Sequence, residues 1–433
     1  MRLLYSALWW AVLPLALFKI WRRGASEPGY RLHVPERLGV YRQLAGCDRP
    51  PLFWVHAVSV GETRAAQPLI DALMAAYPDH SLLLTHMSVT GRAAGQQLYA
   101  HYGTRLVQSY MPYDLGFMAA RFLRYFKPRL CLLMETEVWP NMVAQCVRHG
   151  VPVALVNARL SEKSLRRGQR FAGLMQEAAS GLALVAAQTD ADAGRLKRFG
   201  AQNVHTTGSF KFDVAPPAEV VARGALWRSR IGARPVLLCA STRDGEEALI
   251  LSALEKVDRT TWGETLLVLV PRHPQRFDKV AALIDAMPGL TMQRRSAMQD
   301  GTAVLSSTRV LLGDTMGEMF AYYAACDLAF IGGSLLPLGG QNLIEAAALG
   351  KPVLIGPHTF NFAQSTKDAV EIGCALQIAD TDAMLATAAG LLRDLVQRQA
   401  MQRAALLFAG RFQGATERVL PLLAPLIQNE NVD

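Results

Sequence analysis

The chain has 433 residues, enough for two substantial domains and a remainder, which excludes peptide-sized scaffolds. Hydrophobic residues at 51% and charged residues at 19% exclude a disordered chain and supply large cores. Forty-five Lys and Arg against 36 Asp and Glu leave +9, which favours an acidic partner: nucleic acid, an anionic membrane surface or a phosphorylated substrate. The six cysteines, Cys47, Cys131, Cys146, Cys239, Cys326 and Cys374, form no C-x-x-C pair, so neither a zinc ribbon nor a disulfide framework is indicated and a reducing compartment fits.

The chain opens with sixteen uncharged residues, Leu3 to Phe18, followed by Lys19, Arg22 and Arg23. A helix of that length covers about 24 Å, short of a bilayer core of about 30 Å unless its flanks are recruited. Tyr5, Trp9, Trp10 and Trp21 suit a membrane interface, and the cations behind the segment predict that the rest of the chain stays cytoplasmic. No small-residue cleavage site follows, so an uncleaved anchor over residues 1–24 is preferred to a signal peptide. Such an anchor is expected to attach the protein without taking part in its chemistry.

Short apolar runs then alternate with longer helical patterns. The first series of strand candidates is Leu52–Val60, Ser81–Met87, Arg105–Met111, Leu130–Met134, Val151–Val156, Leu182–Gln188 and Val204–Gly208. The second is Pro235–Ala240, Thr265–Val270, Leu290–Gln293, Arg309–Leu312, Leu328–Ile331, Pro352–Ile355 and Ala375–Ile378. Doubly apolar strands separated by helices predict an α/β fold with parallel sheets covered on both faces. The paired prolines of Val214-Ala215-Pro216-Pro217 are the most linker-like stretch, dividing domains at 25–215 and 216–433. Ligands of open parallel sheets sit beyond the carboxyl ends of strands, so the loops after the strands are the places to look for chemistry.

The first such loop carries Glu62, after His56-Ala57-Val58-Ser59-Val60-Gly61, and leads into an amphipathic helix over Thr63 to Ala76. Two readings of Glu62 stand side by side: a carboxylate placed to accept a proton, or an acid favoured by the dipole of a helix start. Met134-Glu135-Thr136-Glu137-Val138-Trp139-Pro140-Asn141 again places acids at a strand end; two carboxylates at i and i+2 share a side if the backbone stays extended. Arg159 follows another strand, where it can hold a phosphate or pair with one of those acids. Lys211 lies in Gly208-Ser209-Phe210-Lys211-Phe212-Asp213, which ends the first series.

In the second half, Arg272 and His273 stand between Pro271 and Pro274. Met316, Gly317 and Glu318 open a helix after a further strand, Gly332-Gly333-Ser334 follows another, and Gly339-Gly340-Gln341 leads into Asn342, Leu343, Ile344 and Glu345. Glycines that admit a close backbone, with free N–H groups at helix starts, favour a nucleotide-phosphate site over mere turns. The triplets Asp190-Ala191-Asp192 and Asp380-Thr381-Asp382 resemble metal-binding D-x-D motifs, but each opens a helical pattern, where Asp serves as a cap. No G-x-G-x-x-G, Walker A or H-E-x-x-H motif occurs.

Taken together these segments resemble the Kdo transferases, which attach 3-deoxy-D-manno-oct-2-ulosonic acid (Kdo) to a lipid A precursor. The matching stretches run in order over nearly the whole chain: His56–Glu62, Met134–Asn141, Asn157–Leu160, Gly208–Asp213, Pro271–Pro274, Gly313–Glu318 and Gly356–Phe362. The resemblance implies a GT-B architecture of two Rossmann-like domains facing an interdomain cleft, with the last helix packing back on the first domain. It also implies inverting transfer from CMP-Kdo to a lipid A precursor (lipid IVA), with no metal required and no separate cofactor, on the cytoplasmic face of the inner membrane. Carried over, the general base falls on Glu62, transition-state stabilisation on Glu137 and Lys211, and CMP contacts on Arg272, His273, Met316, Gly317, Glu318 and Asn342 to Glu345. Leu343 stands where such enzymes often have a proline. The remaining alternatives are a membrane-associated GT-B enzyme using a UDP-sugar, a tethered nucleotide-sugar-binding protein without turnover, and a basic nucleic-acid binder, for which no binding motif is present.

Overall fold

The computed structural model describes residues 1–41, 50–213, 216–298 and 302–428. Cys47 and part of the Val214–Pro217 stretch lie outside them. The chain divides into two compact units, the first Met1–Val214 with Gln413–Asp433, the second Ala215–Phe412.

The first unit holds seven strands: β1 (Leu52–His56), β2 (Ser81–His86), β3 (Leu106–Tyr110), β4 (Pro128–Met134), β5 (Val153–Ala158), β6 (Leu184–Ala187) and β7 (Val204–Thr206). They line up in the order β3-β2-β1-β4-β5-β6-β7, and every neighbouring pair is parallel. The second unit holds β8 (Val236–Thr242), β9 (Leu266–Pro271), β10 (Met292–Arg294), β11 (Val310–Leu312), β12 (Leu328–Ile331), β13 (Val353–Ile355) and β14 (Ala375–Gln377). Their order is β10-β11-β9-β8-β12-β13-β14, again parallel throughout. The α/β expectation holds, and each of the fourteen candidates overlaps a strand. The central ones are buried on both faces, as β1 and β9 are along their whole length, because helices cover both sides of each sheet.

Two cores flank the first sheet. Trp54, Leu83, Phe122, Cys131, Leu133 and Leu155 face one way, and Phe53, Val55, Leu69, Leu130, Leu132 and Phe210 the other. The last helix, Ala415–Gln428, completes the second of these layers with Ala415, Val419 and Leu423. Its backbone N–H groups at Ala415 and Thr416 donate to the carboxylate of Asp213, at 3.1 and 2.5 Å.

One local expectation changes. The single helix read from Thr63 to Ala76 is two, Val60–Ala65 and Gln67–Ala76, because Pro68 belongs to the first turn of a new helix and cannot continue an old one. The N-terminal helix, Arg2–Arg23, is not free along its length. Leu13 is buried against Tyr113, Leu115 and Met118, with Trp9, Ala16, Leu17 and Ile20 beside them. Its other side, including Leu3, Leu4, Leu8, Leu15, Phe18 and Trp21, is exposed. The helix is long and apolar enough to cross a membrane.

Candidate functional site

In the first unit the strand order reverses at β1. From it the chain builds outward through β2 and β3 on one side, then returns to place β4 to β7 on the other. Loops leaving β1 and β4 therefore part in opposite directions, which opens a crevice at their carboxyl ends. Glu62, Glu135, Glu137, Arg159 and Lys211 all follow strands on this edge.

Glu62 is held by its own turn. Ser59 caps the helix by accepting from the Glu62 N–H, while the Glu62 carboxylate accepts from the Val58 N–H at 2.6 Å and the Ser59 hydroxyl at 3.3 Å. This reciprocal arrangement satisfies helix-start donors and fixes the carboxylate direction. Burial raises the Glu62 pKa above the ordinary carboxylate value; the Val58 N–H opposes that rise and the Glu135 charge adds to it. Both sequence readings of Glu62 are thus physically present, since the cap that positions it does not remove its capacity to take a proton.

The extended backbone that would carry Glu135 and Glu137 to one side does not persist. Glu135 adopts φ +56, a left-handed backbone that ends the extended run and turns its side chain inward. There its carboxylate pairs with Arg159 Nε at 2.7 Å and Lys211 Nζ at 3.4 Å. Of the two readings of Arg159, the pairing with one of the acids is the one the structure shows, and Glu135, the acid concerned, also takes in Lys211. Lys211 is further fixed by its neighbours: Phe210 is buried in the core with its N–H donating to Asn157 Oδ1, and Asp213 holds the last helix. Asn157, itself at φ +51 and fully buried, has an Nδ2 without a partner among the described residues.

Glu137, partly buried, accepts from Trp139 Nε1 at 3.1 Å. Burial first, then the Glu62 charge, push its pKa up to about 7, with the Trp139 bond opposing them. The two acids with raised pKa values stand beside two cations already committed to a third acid. Such an arrangement can accept a proton from a weakly acidic group and present positive charge to one that becomes anionic. Behind it, His56 and His86 are buried and held well below the usual histidine range by desolvation, at about 3 and about 4, so they are neutral framework groups.

The carboxyl edge of the second sheet has a different chemistry. Arg272 and His273 follow β9, with the Arg272 N–H bonded to Thr242 O at the end of β8. Desolvation and the nearby guanidinium groups of Arg243, Arg272 and Arg276 lower the His273 pKa. Arg276 is committed to Glu247 and Asp244, whereas Arg243 and Arg272 have no carboxylate partner among the described residues. Sequence reasoning missed Arg243 and, more consequentially, Glu246. That carboxylate is fully buried and accepts from the N–H groups of Arg243, Gly333 and Leu335, joining the loop after β8 to the glycine loop after β12. The signal was an acid in Arg243-Asp244-Gly245-Glu246-Glu247 at a strand end. Gly332 permits this junction, since a Cβ there would lie 2.6 Å from the Ser241 carbonyl.

The remaining candidates divide. Met316 is exposed and Gly317 has φ +81, so their loop is open to a ligand. Glu318 is engaged: it pairs with Arg223 at 3.3 Å and Arg295 at 3.2 Å and accepts from the Thr315 hydroxyl. Leu343 and Ile344 bury their side chains, which leaves only backbone groups to face a ligand. Asn342 accepts from the Ile344 N–H and donates to Glu345 at 3.3 Å, holding the helix start Ile344–Ala348. In the apolar loop Ser334–Gly339, Leu335 belongs to the core. Both D-x-D triplets open helices: Asp380 accepts from the Ala383 N–H, and Asp192 accepts from the Thr189 hydroxyl and the Leu160 N–H.

Residues 32–214 match the family described as 3-deoxy-D-manno-octulosonic-acid transferase. The 3-deoxy-D-manno-octulosonic acid transferase of Bordetella pertussis is 46% identical over 415 residues, covering 95% of this chain and 96% of that one. The Haemophilus influenzae enzyme of the same name is 34% identical over 436 residues, 99% of each chain. Among solved structures, UDP-GlcNAc 2-epimerase from Neisseria meningitidis superposes with a TM-score of 0.60 at 14% identity, covering 87% of this chain and all of that one. A glycosyltransferase from Rickettsia africae gives 0.58 at 11%, covering 88% and 100%. At these identities the structural likeness shows the fold alone, the two-unit α/β architecture of GT-B proteins.

Proposed function

Because the chain belongs to the Kdo transferase family and is therefore a glycosyltransferase, we propose that it moves Kdo from CMP-Kdo to a lipid A precursor, lipid IVA, in lipopolysaccharide core biosynthesis. The observation that carries this reading is the acidic edge at the reversal of the first sheet, where Glu62 is capped, partly buried and raised in pKa next to Glu137 and the Lys211–Glu135–Arg159 group. A sugar hydroxyl is a poor nucleophile while it keeps its proton. Glu62 takes that proton as the hydroxyl oxygen bonds to the anomeric carbon of Kdo, and the anomeric C–O bond breaks with its electron pair leaving on the CMP phosphate. Attack from the face opposite the phosphate inverts the anomeric centre. Lys211 and Glu137 stabilise charge in the transition state, Glu137 as a hydrogen-bond donor in the fraction of molecules that keep its proton near neutral pH.

Donor binding falls to the second unit. Arg272 and Arg243 lack carboxylate partners and suit a phosphate, and the loops Met316–Glu318 and Asn342–Glu345 follow strands on the same edge. Within them the backbone N–H groups and Asn342 make the contacts, with Glu318 supporting the loop through its arginine pairs. These cations and N–H groups offset the charge on departing CMP, so the transfer proceeds without a metal. The exposed apolar side of the N-terminal helix, followed by Lys19, Arg22 and Arg23, seats the protein on the cytoplasmic face of the inner membrane.

Incubation of the purified chain with CMP-Kdo and a tetraacyl lipid A precursor, followed by product mass, tests the reading. Addition of one or more Kdo masses is expected. Transfer from a UDP-sugar in place of CMP-Kdo, or CMP-Kdo binding without product, overturns it.

A further inference from the structure

The stripe Tyr5, Ser6, Trp9 and Leu13 of the N-terminal helix meets the first unit at a particular place. After Glu137 come Val138, Trp139, Pro140 and Asn141, where the helix Pro140–Arg148 begins. The Trp9 ring packs on Trp139, with centroids 6.4 Å apart, and on Tyr113 at 5.7 Å. Asn141 Nδ2 donates to Ser6 Oγ at 3.0 Å. Asp114 accepts from the N–H groups of Asn141 and Met142, at 3.0 and 2.7 Å, and Tyr5 lies against the same carboxylate. Three residues of one helix side therefore bear on the four-residue stretch that carries Glu137 into the next helix. A segment used only for attachment has no reason to converge there.

We infer that the N-terminal helix is a positioning element of the acidic site: Trp9, seated on Trp139, holds the loop that aims the Glu137 carboxylate. The inference rests on the proposed role of Glu137 and replaces the expectation that this helix serves attachment alone. The link is short. Trp139 Nε1 donates to Glu137, and the ring making that bond is backed by Trp9. Around Glu137 stand the Glu62 and Glu135 carboxylates, with Lys211 and Arg159 neutralising Glu135, so the Trp139 N–H is a neutral donor among like charges. The outward side of the same helix presents Leu3, Leu4, Leu8 and Leu15 to the surroundings, which makes a lipid surface its natural cover. Seating on lipid then fixes the helix, and the helix fixes the loop.

The test is single-turnover transfer by the full chain on detergent-dispersed acceptor, with CMP affinity and thermal melting recorded for each variant. Trp9→Ala is expected to slow transfer about 10- to 100-fold without weakening CMP binding, since small misplacement of a reacting group has effects of that order. Trp9→Phe is expected to restore most of the rate. In a Glu137→Ala background, which removes the donor, Trp9→Ala should add less than about 2-fold, because its route is already cut. Trp139→Phe keeps a ring in place, guards against a misfolded Trp9→Ala, and should move the Glu137 limb of the pH–rate profile upward by removing a donor to the ionised form. Equal losses from Trp9→Ala in both backgrounds, or a Trp139→Phe profile identical to the parent, overturn the inference while leaving Glu137 in the site. A folded Glu137→Ala variant that transfers normally overturns the proposed role of Glu137, and the inference with it.

Discussion

The two sheet edges use charge in opposite ways. On the first, the cations are committed: Lys211 and Arg159 both lean on buried Glu135, and the groups with shifted titration are acids, Glu62 and Glu137. On the second, a buried acid, Glu246, binds backbone N–H groups, while Arg243 and Arg272 keep no carboxylate partner among the described residues. An edge whose acids are raised in pKa is suited to moving a proton. An edge whose buried acid is spent on loop geometry and which keeps two arginines uncommitted is suited to holding an anion. The same parallel-sheet frame thus yields two chemistries through the residues that follow its strands.

Breaking the scaffold of the second edge is expected to have the largest effect. Glu246→Ala leaves three N–H groups without their acceptor and should lower stability by roughly 3–5 kcal/mol, measured by denaturant unfolding. Lys211→Ala should slow transfer by about 10²–10³ with CMP affinity retained, the order expected for a lost charge-stabilising donor; an equal loss in CMP affinity would move Lys211 to the donor's side of the comparison. Arg272→Ala should weaken CMP binding by roughly 1.5–3 kcal/mol in calorimetry, as for one charge-assisted contact, and leave the pH dependence of transfer unchanged.

The smallest effect sharpens the titration side of the comparison. A carboxyl group whose folded pKa is raised to about 7 binds its proton more tightly folded than unfolded, so stability falls as pH rises through the window from the ordinary value of 4.5 to about 7. Glu137→Gln removes that cost. At pH 8 the variant should be more stable than the parent by about 1–2 kcal/mol, and at pH 4 the two should melt alike.

The strands were legible because a strand buried on both faces is a short continuous apolar run, and Leu328–Ile331 was bounded to the residue. Glu62 was legible as a position, though its role needed the cap geometry. Glu135 was legible only as one of two acids that Arg159 could pair with; its second partner, Lys211, is 76 residues further along, and its inward turn depends on a left-handed backbone that no composition rule assigns to Glu. Glu246 escaped for a related reason: a buried acid serving backbone donors looks, in sequence, like any acid in a first helical turn. The contacts of Ser6 with Asn141 and of Trp9 with Trp139 join segments more than a hundred residues apart, beyond the reach of local periodicity.

The measurement that bears most directly on the division between the two edges is single-turnover transfer by Glu62→Gln alongside its CMP titration. Gln keeps the size of the side chain and an acceptor for the Val58 N–H but cannot take up the proton of the acceptor hydroxyl. Transfer is expected to fall by about 10²–10⁴ while CMP binds as it does to the parent. A folded Glu62→Gln variant that binds CMP and transfers Kdo at near the parent rate would contradict the account.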